Sequence, residues 1–123
     1  MLISAVFRLM LVLLSISSLY ASASTVDEIN HLLHFIENTD CRYERNGTFH
    51  QGSAAVKHIN KKYHYFSDDI SSAEDFIQLS ATKSTFSGKY YKIHCGDNIP
   101  IKSQDWLLLE LSKFRNTEQK SIL

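Results

Sequence analysis

Proline and glycine are scarce in this sequence, which has one proline and four glycines among its 123 residues. Linkers between domains are rich in these residues, and no such stretch is present. The sequence also contains no internal repeat and no low-complexity segment. These absences favour a single small globular domain.

An excess of charge of one sign is also missing, because 13 Lys and Arg residues balance 13 Asp and Glu residues. Proteins that bind nucleic acids usually carry a basic face, so this balance argues against a nucleic-acid partner. Beyond residue 23 the sequence has no apolar run long enough to span a membrane. We therefore expect residues 24–123 to form a soluble protein with no membrane span.

Apolar residues are concentrated near the amino terminus, where residues 9–14 have the sequence LMLVLL. Arg8 precedes this run, and Ala21-Ser22-Ala23 follows it with the small residues that signal peptidase requires. A membrane anchor or a buried helix is the alternative, but the run is short for a bilayer span. The pattern predicts a signal peptide over residues 1–23, and export of residues 24–123 to the periplasm or the extracellular space.

Both cysteines, Cys41 and Cys95, lie after the predicted signal peptide. Exported proteins meet oxidising conditions, and an even number of cysteines there favours a disulfide. A bridge between these two would close a loop of about 55 residues and stabilise the fold by about 4 kcal/mol in the chain-entropy model. Two free thiols, or two ligands of a metal site, are the alternatives.

Apolar residues recur at helical spacing in four segments. The first helix is predicted from about Val26 to Asn38 and the second from Ser53 to about Phe66. The third begins near residue 71 and the fourth near residue 103. Residues with short hydroxyl side chains are predicted to cap these helices, in two cases with a glutamate three positions later. The predicted caps are Thr25 with Glu28, Ser53, Ser71 with Glu74, and Ser103.

The faces of two of these helices can also be predicted. The buried side of the third helix is predicted to contain Ala73, Phe76, Ile77 and Ser80. The outer face of the second helix is predicted to carry Lys57, Lys61 and Lys62.

Two further segments have the patterns of β-strands. Asn46-Gly47 is a typical hairpin turn, because both residue types tolerate positive φ. Between Tyr90 and Cys95 the side chains alternate as in a half-buried strand, and residues 96–100 are predicted to form a loop. The overall prediction is an α+β fold with about four short helices packed on a small antiparallel sheet and one disulfide. In this sheet the strand of Cys95 lies beside that of Cys41.

Several short motifs follow one another in a specific order along the chain. They are Cys41, Arg45-Asn46-Gly47, His58-Ile59-x-x-Lys62, Ala73-Glu74-Asp75-Phe76-Ile77, Ala81, Ser84, Ser87-Gly88-Lys89, Tyr91, Cys95, Trp106-Leu107, Leu111 and Arg115. This order resembles that of a family of small exported bacterial proteins, domain of unknown function 5329. The resemblance covers nearly all of residues 24–123. It implies a bacterial protein outside the cytoplasm and transfers no catalytic residue, since the family has no established activity.

Three patterns that suggest catalysis or metal binding are incomplete. Ser80-x-x-Lys83 matches one motif of certain serine acyl-enzymes, but the companion motifs are absent. Ser87-Gly88-Lys89 lacks the upstream glycine of a phosphate loop. His31 and His34 share a helical face, without further ligands at the spacing of a zinc site. We interpret these residues as structural or surface residues and expect no cofactor and no metal.

Polar residues at predicted loops and element ends are the best binding candidates, because functional side chains usually lie there. Seven of them are predicted to converge on one face: Arg45, Asn46, His58, Ser84, Ser87, Lys89 and Tyr91. Near Gly88, short hydroxyl side chains, exposed turn amides and Lys89 could bind a carboxylate or another anion. A turn stabilised by its own Ser and Thr side chains is the alternative. The leading hypothesis is a non-catalytic binding or accessory protein of the bacterial envelope. Its partner would be an envelope protein or a cell-wall-derived ligand.

A small envelope hydrolase acting on peptidoglycan or peptide is the alternative hypothesis. Glu44, Glu74 and His58 would then supply the acid and the base. Glycoside hydrolysis needs two carboxyl groups in different protonation states, which these glutamates could provide. A purely structural or assembly factor is a third hypothesis, for which large exposed apolar patches would be the sign.

Overall fold

A computed structural model describes residues 23–122 of the chain. The predicted signal peptide lies outside this range, except for its last residue, Ala23. Among the described residues, no helix has both the length and the hydrophobicity needed to cross a membrane.

The described residues form four α-helices and one antiparallel sheet of four strands. The helices are α1 (Thr25–Glu37), α2 (Gly52–Tyr65), α3 (Ala73–Ser80) and α4 (Ser103–Ile122). The strands are β1 (Arg42–Arg45), β2 (Thr48–His50), β3 (Lys92–His94) and β4 (Ile101–Lys102). A short 3₁₀ turn, Ser67–Asp69, connects α2 to the segment before α3. The strand order is β2-β1-β3-β4, and the predicted α+β class is confirmed.

The hairpin of β1 and β2 forms as predicted around Asn46-Gly47. Both turn residues have positive φ, 52° and 79°, which Asn and Gly adopt more readily than other residues. Across the turn, Arg45 pairs with Thr48. The other edge of β1 pairs with β3, so the two cysteine-bearing segments lie side by side.

Strand β4 was not predicted. It contains only Ile101 and Lys102, and two residues are too few to show an alternating pattern. Ile101 pairs with Ile93 and thereby adds a short edge strand next to β3. The helix α4 begins at the very next residue, Ser103, so this strand carries the chain from the sheet directly into the helix.

The predicted caps of α1 and α3 are each wrong by one residue. Ser24, not Thr25, caps α1 and exchanges hydrogen bonds with Asp27. Ser72, not Ser71, caps α3 and accepts a hydrogen bond from the backbone amide of Asp75. The start of each helix has two consecutive hydroxyl residues followed by two consecutive acidic residues within the first turn, so both registers satisfy the capping pattern.

The predicted cap of α2, Ser53, is also wrong, because the helix begins one residue earlier at Gly52. Gln51 occupies the cap position and makes no side-chain hydrogen bond to the helix. A Cβ atom on Gly52 would lie 2.8 Å from the carbonyl oxygen of Glu37 and closer still to that of Ile36. The start of α2 therefore packs against the end of α1 at a distance that only glycine permits.

The hydrophobic core lies where the four helices pack against the sheet. All four residues of α3 that were predicted to face inward are buried: Ala73, Phe76, Ile77 and Ser80. Polar contacts also cross this core: the hydroxyl of Tyr43 on β1 hydrogen-bonds to that of Ser103 at the start of α4 and lies 3.4 Å from the Ala81 carbonyl oxygen. Burial raises the pKa of Tyr43 well above the usual range of a phenol.

Two side-chain links tie the elements together. The predicted disulfide is confirmed: Cys41 and Cys95 are bonded, with their Cα atoms 4.5 Å apart. It joins the segment before β1 to the residue after β3. Arg115 on α4 binds both Glu28 on α1, at 2.6 Å, and Glu74 on α3, at 2.7 Å. Glu28, predicted as a capping residue, therefore has an interhelical role instead.

Candidate functional site

The hairpin turn meets a second turn, residues 84–87, that follows α3. The side-chain oxygen of Asn46 accepts a hydrogen bond from the hydroxyl of Ser87 at 2.6 Å. The Asn46 amide group donates to the hydroxyl of Ser84 at 3.3 Å. The structure thus brings together two turns that lie some 40 residues apart in sequence, as the predicted convergence requires.

Most backbone amides of the second turn are used within the turn itself. The amides of Ser87 and Gly88 donate to the side-chain and backbone oxygens of Ser84. The amide of Lys89 donates to the Ser87 hydroxyl, and that of Ser84 donates to the Lys89 carbonyl. Any anion near this turn would therefore be bound mainly by side chains, and less by the turn amides than predicted.

A cavity of about 320 Å³ opens beside the two turns. It is lined by residues of β1, its turn, α2, the second turn and the start of the β3 segment: Arg45, Asn46, His58, Lys62, Ser84, Thr85, Phe86 and Tyr91. Five of the seven predicted residues are among them. Ser87 holds Asn46 in place without lining the cavity, and the exposed Lys89 does not line it either.

The lining carries positive charge, and it includes no acidic residue from the described part of the chain. Arg45 comes from the end of β1, and Lys62 comes from α2 one helical turn beyond His58. Partial burial, followed by the nearby charges of Arg45 and Lys62, lowers the pKa of His58 to about 4. The His58 imidazole is therefore neutral at neutral pH and can donate one hydrogen bond.

Lys62 was predicted on the outer face of α2, and this placement is wrong. The side chain is only partly exposed, and its Nζ donates to the carbonyl oxygen of Lys83 at 2.7 Å. Desolvation first, and the charge of Arg45 second, lower the pKa of Lys62. The helical spacing of His58 and Lys62 is the sequence signal for this position, because residues four apart share one face of a helix.

Tyr91 forms the buried wall of the cavity, with only 1% of its surface exposed. Its hydroxyl lies 3.3 Å from His58 Nε2 and 3.3 Å from Lys62 Nζ. Burial raises the pKa of Tyr91, so its phenol remains protonated at neutral pH. The tyrosine thereby fixes the positions of two groups that line the cavity.

Phe86 lies at the mouth of the cavity, and its side chain is completely exposed. Its neighbour Thr85 is also exposed. Their two backbone amides have no hydrogen-bond partner among the described residues. Neither residue was predicted as a site residue, because an apolar side chain in a polar turn gives no sign that it is exposed.

A second cavity, also about 320 Å³, lies on the other side of Lys62. The two cavities share three lining residues: Lys62, Ser84 and Thr85. The second one is lined further by residues that flank α2 and the second turn and by two residues of α3: Phe66, Gln78, Leu79, Lys83 and Gly88. The shared residues make the two cavities neighbouring parts of one surface depression.

A larger cavity, about 410 Å³, lies between the end of α1, β1 and the start of α2. Its charged residues have both signs: Glu37, Asp40 and Arg42. Within residues 23–122, no aromatic side chain lines this cavity, and none of the seven predicted residues does so. Its acidic groups make it a poorer place for an anion than the cavity at the two turns.

The carboxylates of the hydrolase hypothesis lie outside the candidate cavity. Glu44 is paired with His94 at 2.8 Å, and Glu74 is paired with Arg115. Only His58 lines the cavity. The hydrolase hypothesis remains a prediction that gains no support from these three positions.

The residues of the incomplete catalytic and metal-binding motifs are buried, exposed or bound to other side chains of the fold. Ser80 is fully buried, while Lys83, its partner in the Ser-x-x-Lys pattern, is exposed. His31 is bonded to Glu110 at 2.8 Å and stacks on Phe114. Within residues 23–122, no group of three or more His, Cys, Asp or Glu side chains is placed to hold a metal ion.

The chain belongs to a family of unknown function (DUF5329), whose family model matches residues 23–115. The match extends from the cap of α1 to Arg115 and so includes both turns and the cavity between them. The resemblance to this family that the sequence motifs indicated is thereby confirmed. No curated protein and no solved structure shows a significant match to the chain.

Proposed function

We propose that this member of the family is a non-catalytic, exported binding protein that holds an anionic group of its ligand in the cavity at the two turns. The observation that supports this function is the lining of that cavity. Two cationic side chains and several hydrogen-bond donors surround it, and none of the described residues contributes a carboxylate to the lining.

Each group has a distinct role in this account. Arg45 offers a planar guanidinium that can bind both oxygens of a carboxylate or a phosphate. Lys62 adds a second positive charge from helix α2, whereas Arg45 lies on β1. Neutral His58 and the Ser84 hydroxyl can donate hydrogen bonds without adding charge. Because Lys62 is partly desolvated, a bound anion would also offset the cost of burying its charge.

Export rests on the amino-terminal sequence and on the disulfide, which oxidising compartments favour. The start of the fold is compatible with cleavage after Ala23. The backbone nitrogen of Ser24 already lies 3.1 Å from a carboxylate oxygen of Asp27. The ammonium group that cleavage creates at Ser24 would therefore have an ionic partner.

Titration of isotope-labelled, oxidised protein with benzoate tests anion binding, with benzamide as the neutral ligand of the same shape. We expect benzoate to shift the amide signals of Thr85, Phe86 and Asn46 in a saturable manner, and benzamide to bind about tenfold more weakly or not at all. The Arg45→Gln variant should lose most of the benzoate response. Arg42→Gln is the matched control, because Arg42 lies on the same strand but outside this cavity.

Equal responses to benzoate and benzamide would contradict the proposal, as would an unchanged benzoate response in Arg45→Gln. Export is tested separately, by expressing the full chain in a bacterial host and measuring the intact mass of the protein in the periplasmic fraction. The proposal predicts a chain that begins at Ser24 with its two cysteines oxidised. A full-length chain that remains in the cytoplasm would contradict export. The anion-binding proposal would then be judged by the titration alone.

A further inference from the structure

The two cavities that share Lys62, Ser84 and Thr85 form a groove with two chemically different ends. The first end is the anion site of the proposed function, beside Arg45. The second end adds the apolar side chains of Phe66 and Leu79, both of which are partly exposed. A ligand that fills the groove therefore needs an anionic terminus followed by an apolar group.

Hydrogen-bonding groups lie between and beside the two ends. The exposed Thr85 is shared by both cavities, and its backbone amide and that of Phe86 have no partner among the described residues. Gln78 is exposed and lines the second end. Such groups can pair with the amides of an extended backbone, whose residues advance about 3.3 Å each.

We propose that this groove binds the carboxyl-terminal end of an extended peptide or protein tail. The terminal carboxylate lies beside Arg45 and Lys62, and an apolar side chain from one of the last three residues contacts Phe66 and Leu79. The inference rests on the proposed function, since it uses the same anion site. It adds the class of ligand and the direction in which the ligand lies.

Charge favours this occupant, because Arg45 and Lys62 line the first end and Lys83 adds a further positive charge at the second. Among the residues that the structure describes, no acidic one lines either end. The mixed lining favours a peptide over the acyl chain of a lipid. A long acyl chain needs a continuous apolar channel, whereas the apolar residues of the second end are two side chains beside a lysine pair and a glutamine.

Four acetylated tetrapeptides test the inference: three have a single leucine at the last, second-last or third-last position among alanines, and one is all alanine. Each is titrated as the free acid and as the carboxyl-terminal amide. We expect that one of the three leucine-containing peptides, as its free acid, binds about tenfold more tightly than its own amide. The same peptide should bind about fivefold more tightly than the free acid of the all-alanine peptide.

Two variants should separate the two ends of the groove. Leu79→Ser should remove the advantage of leucine over alanine and preserve the advantage of acid over amide. Arg45→Gln should remove the advantage of acid over amide and preserve that of leucine over alanine. Leu109→Ser, at an exposed leucine of α4, is the control and should change neither ratio. Both ratios are measured within one variant, so a change in the folded fraction cancels.

The outcomes distinguish this inference from the proposed function. Benzoate binding without any leucine advantage would overturn the peptide inference and leave the anion site intact. Decanoate that binds more tightly than every peptide, and shifts the amides of Phe66 and Leu79, would identify an acyl-chain site and also overturn it. Failure of benzoate and of all peptides to bind would overturn both proposals.

Discussion

The hydroxyl of Ser87 donates a hydrogen bond to the side-chain oxygen of Asn46 at 2.6 Å, although 41 residues separate them in sequence. This contact fixes the hairpin turn against the turn after α3. The candidate anion cavity lies directly beside that junction, so its shape depends on the contact. A test of the junction is therefore also a test of how the site is built.

The Asn46→Gly variant should keep the hairpin, because glycine tolerates the positive φ of this position, and should lose both side-chain hydrogen bonds. We expect the free energy of unfolding in urea to fall by about 1–2 kcal/mol. A double-mutant cycle with Ser87→Ala should give a coupling energy of about 1 kcal/mol. If the two changes lower the free energy of unfolding additively, the contact is contradicted. Ser112→Ala, at an exposed serine of α4, is the control and should show no coupling with Asn46→Gly.

Replacing both Cys41 and Cys95 with alanine removes a cross-link between residues 54 apart. The unfolded chain then gains conformational freedom, and we expect the free energy of unfolding to fall by about 4 kcal/mol. Urea denaturation of the variant, compared with the oxidised parent, measures this loss. A loss below about 1 kcal/mol would show that strain or residual structure offsets the entropic effect. As a control, the parent protein with its disulfide reduced should have the same free energy of unfolding as the variant.

Stability should depend on pH through His58, whose folded pKa is about 4 and whose ordinary value is 6.5. As pH falls through this interval, the unfolded chain binds the proton before the folded chain does, so the free energy of unfolding decreases. Below about pH 4 this contribution levels off. His58→Gln should lose less stability than the parent between pH 6.5 and 4, while His34→Gln, at an exposed position, should behave like the parent.

Direct measurement of the His58 ring signals by NMR checks the premise of that prediction. The groups that lower its pKa besides burial are Arg45, Lys62, Lys61 and His50. A titration midpoint near 6.5 in the folded protein would contradict the account. Arg45→Gln should raise the midpoint, because it removes the largest of the charge contributions.

Ser80→Ala should leave stability unchanged or raise it by up to about 1 kcal/mol. The Ser80 hydroxyl is fully buried and has no hydrogen-bond partner among the described residues, so its removal relieves an unpaired polar group. Urea denaturation measures the change. A loss of more than about 1 kcal/mol would show that the hydroxyl has a partner, such as a buried water. Covalent labelling of Ser80 by an acylating reagent would instead revive the serine acyl-enzyme interpretation.

Sequence patterns were sufficient where the physical signal is local. The inward face of α3 follows from helical spacing, and the hairpin follows from Asn46-Gly47, because each signal lies within a few residues. The caps of α1 and α3 were each misplaced by one residue. Ser24 and Thr25 offer equivalent hydroxyls, and only the backbone geometry distinguishes them.

Features that depend on distant contacts were not predictable in the same way. Lys62 was predicted on the solvent face of α2, but its Nζ donates hydrogen bonds to the Lys83 carbonyl and the Tyr91 hydroxyl. Neither of these residues lies on α2. Strand β4 exists because Ile101 meets Ile93 across the sheet. The complete exposure of Phe86 has no local signal, because apolar residues are usually buried.

The most direct test of the anion site is a crystal structure of the oxidised protein soaked in 4-bromobenzoate, with the bromine located by its anomalous scattering. The account predicts a bromine peak in the cavity near Phe86, with the carboxylate within hydrogen-bonding distance of Arg45 or Lys62. The same soak with 4-bromobenzamide should give no peak there. A benzoate bound only elsewhere, or a benzamide that occupies the cavity equally well, would contradict the central claim.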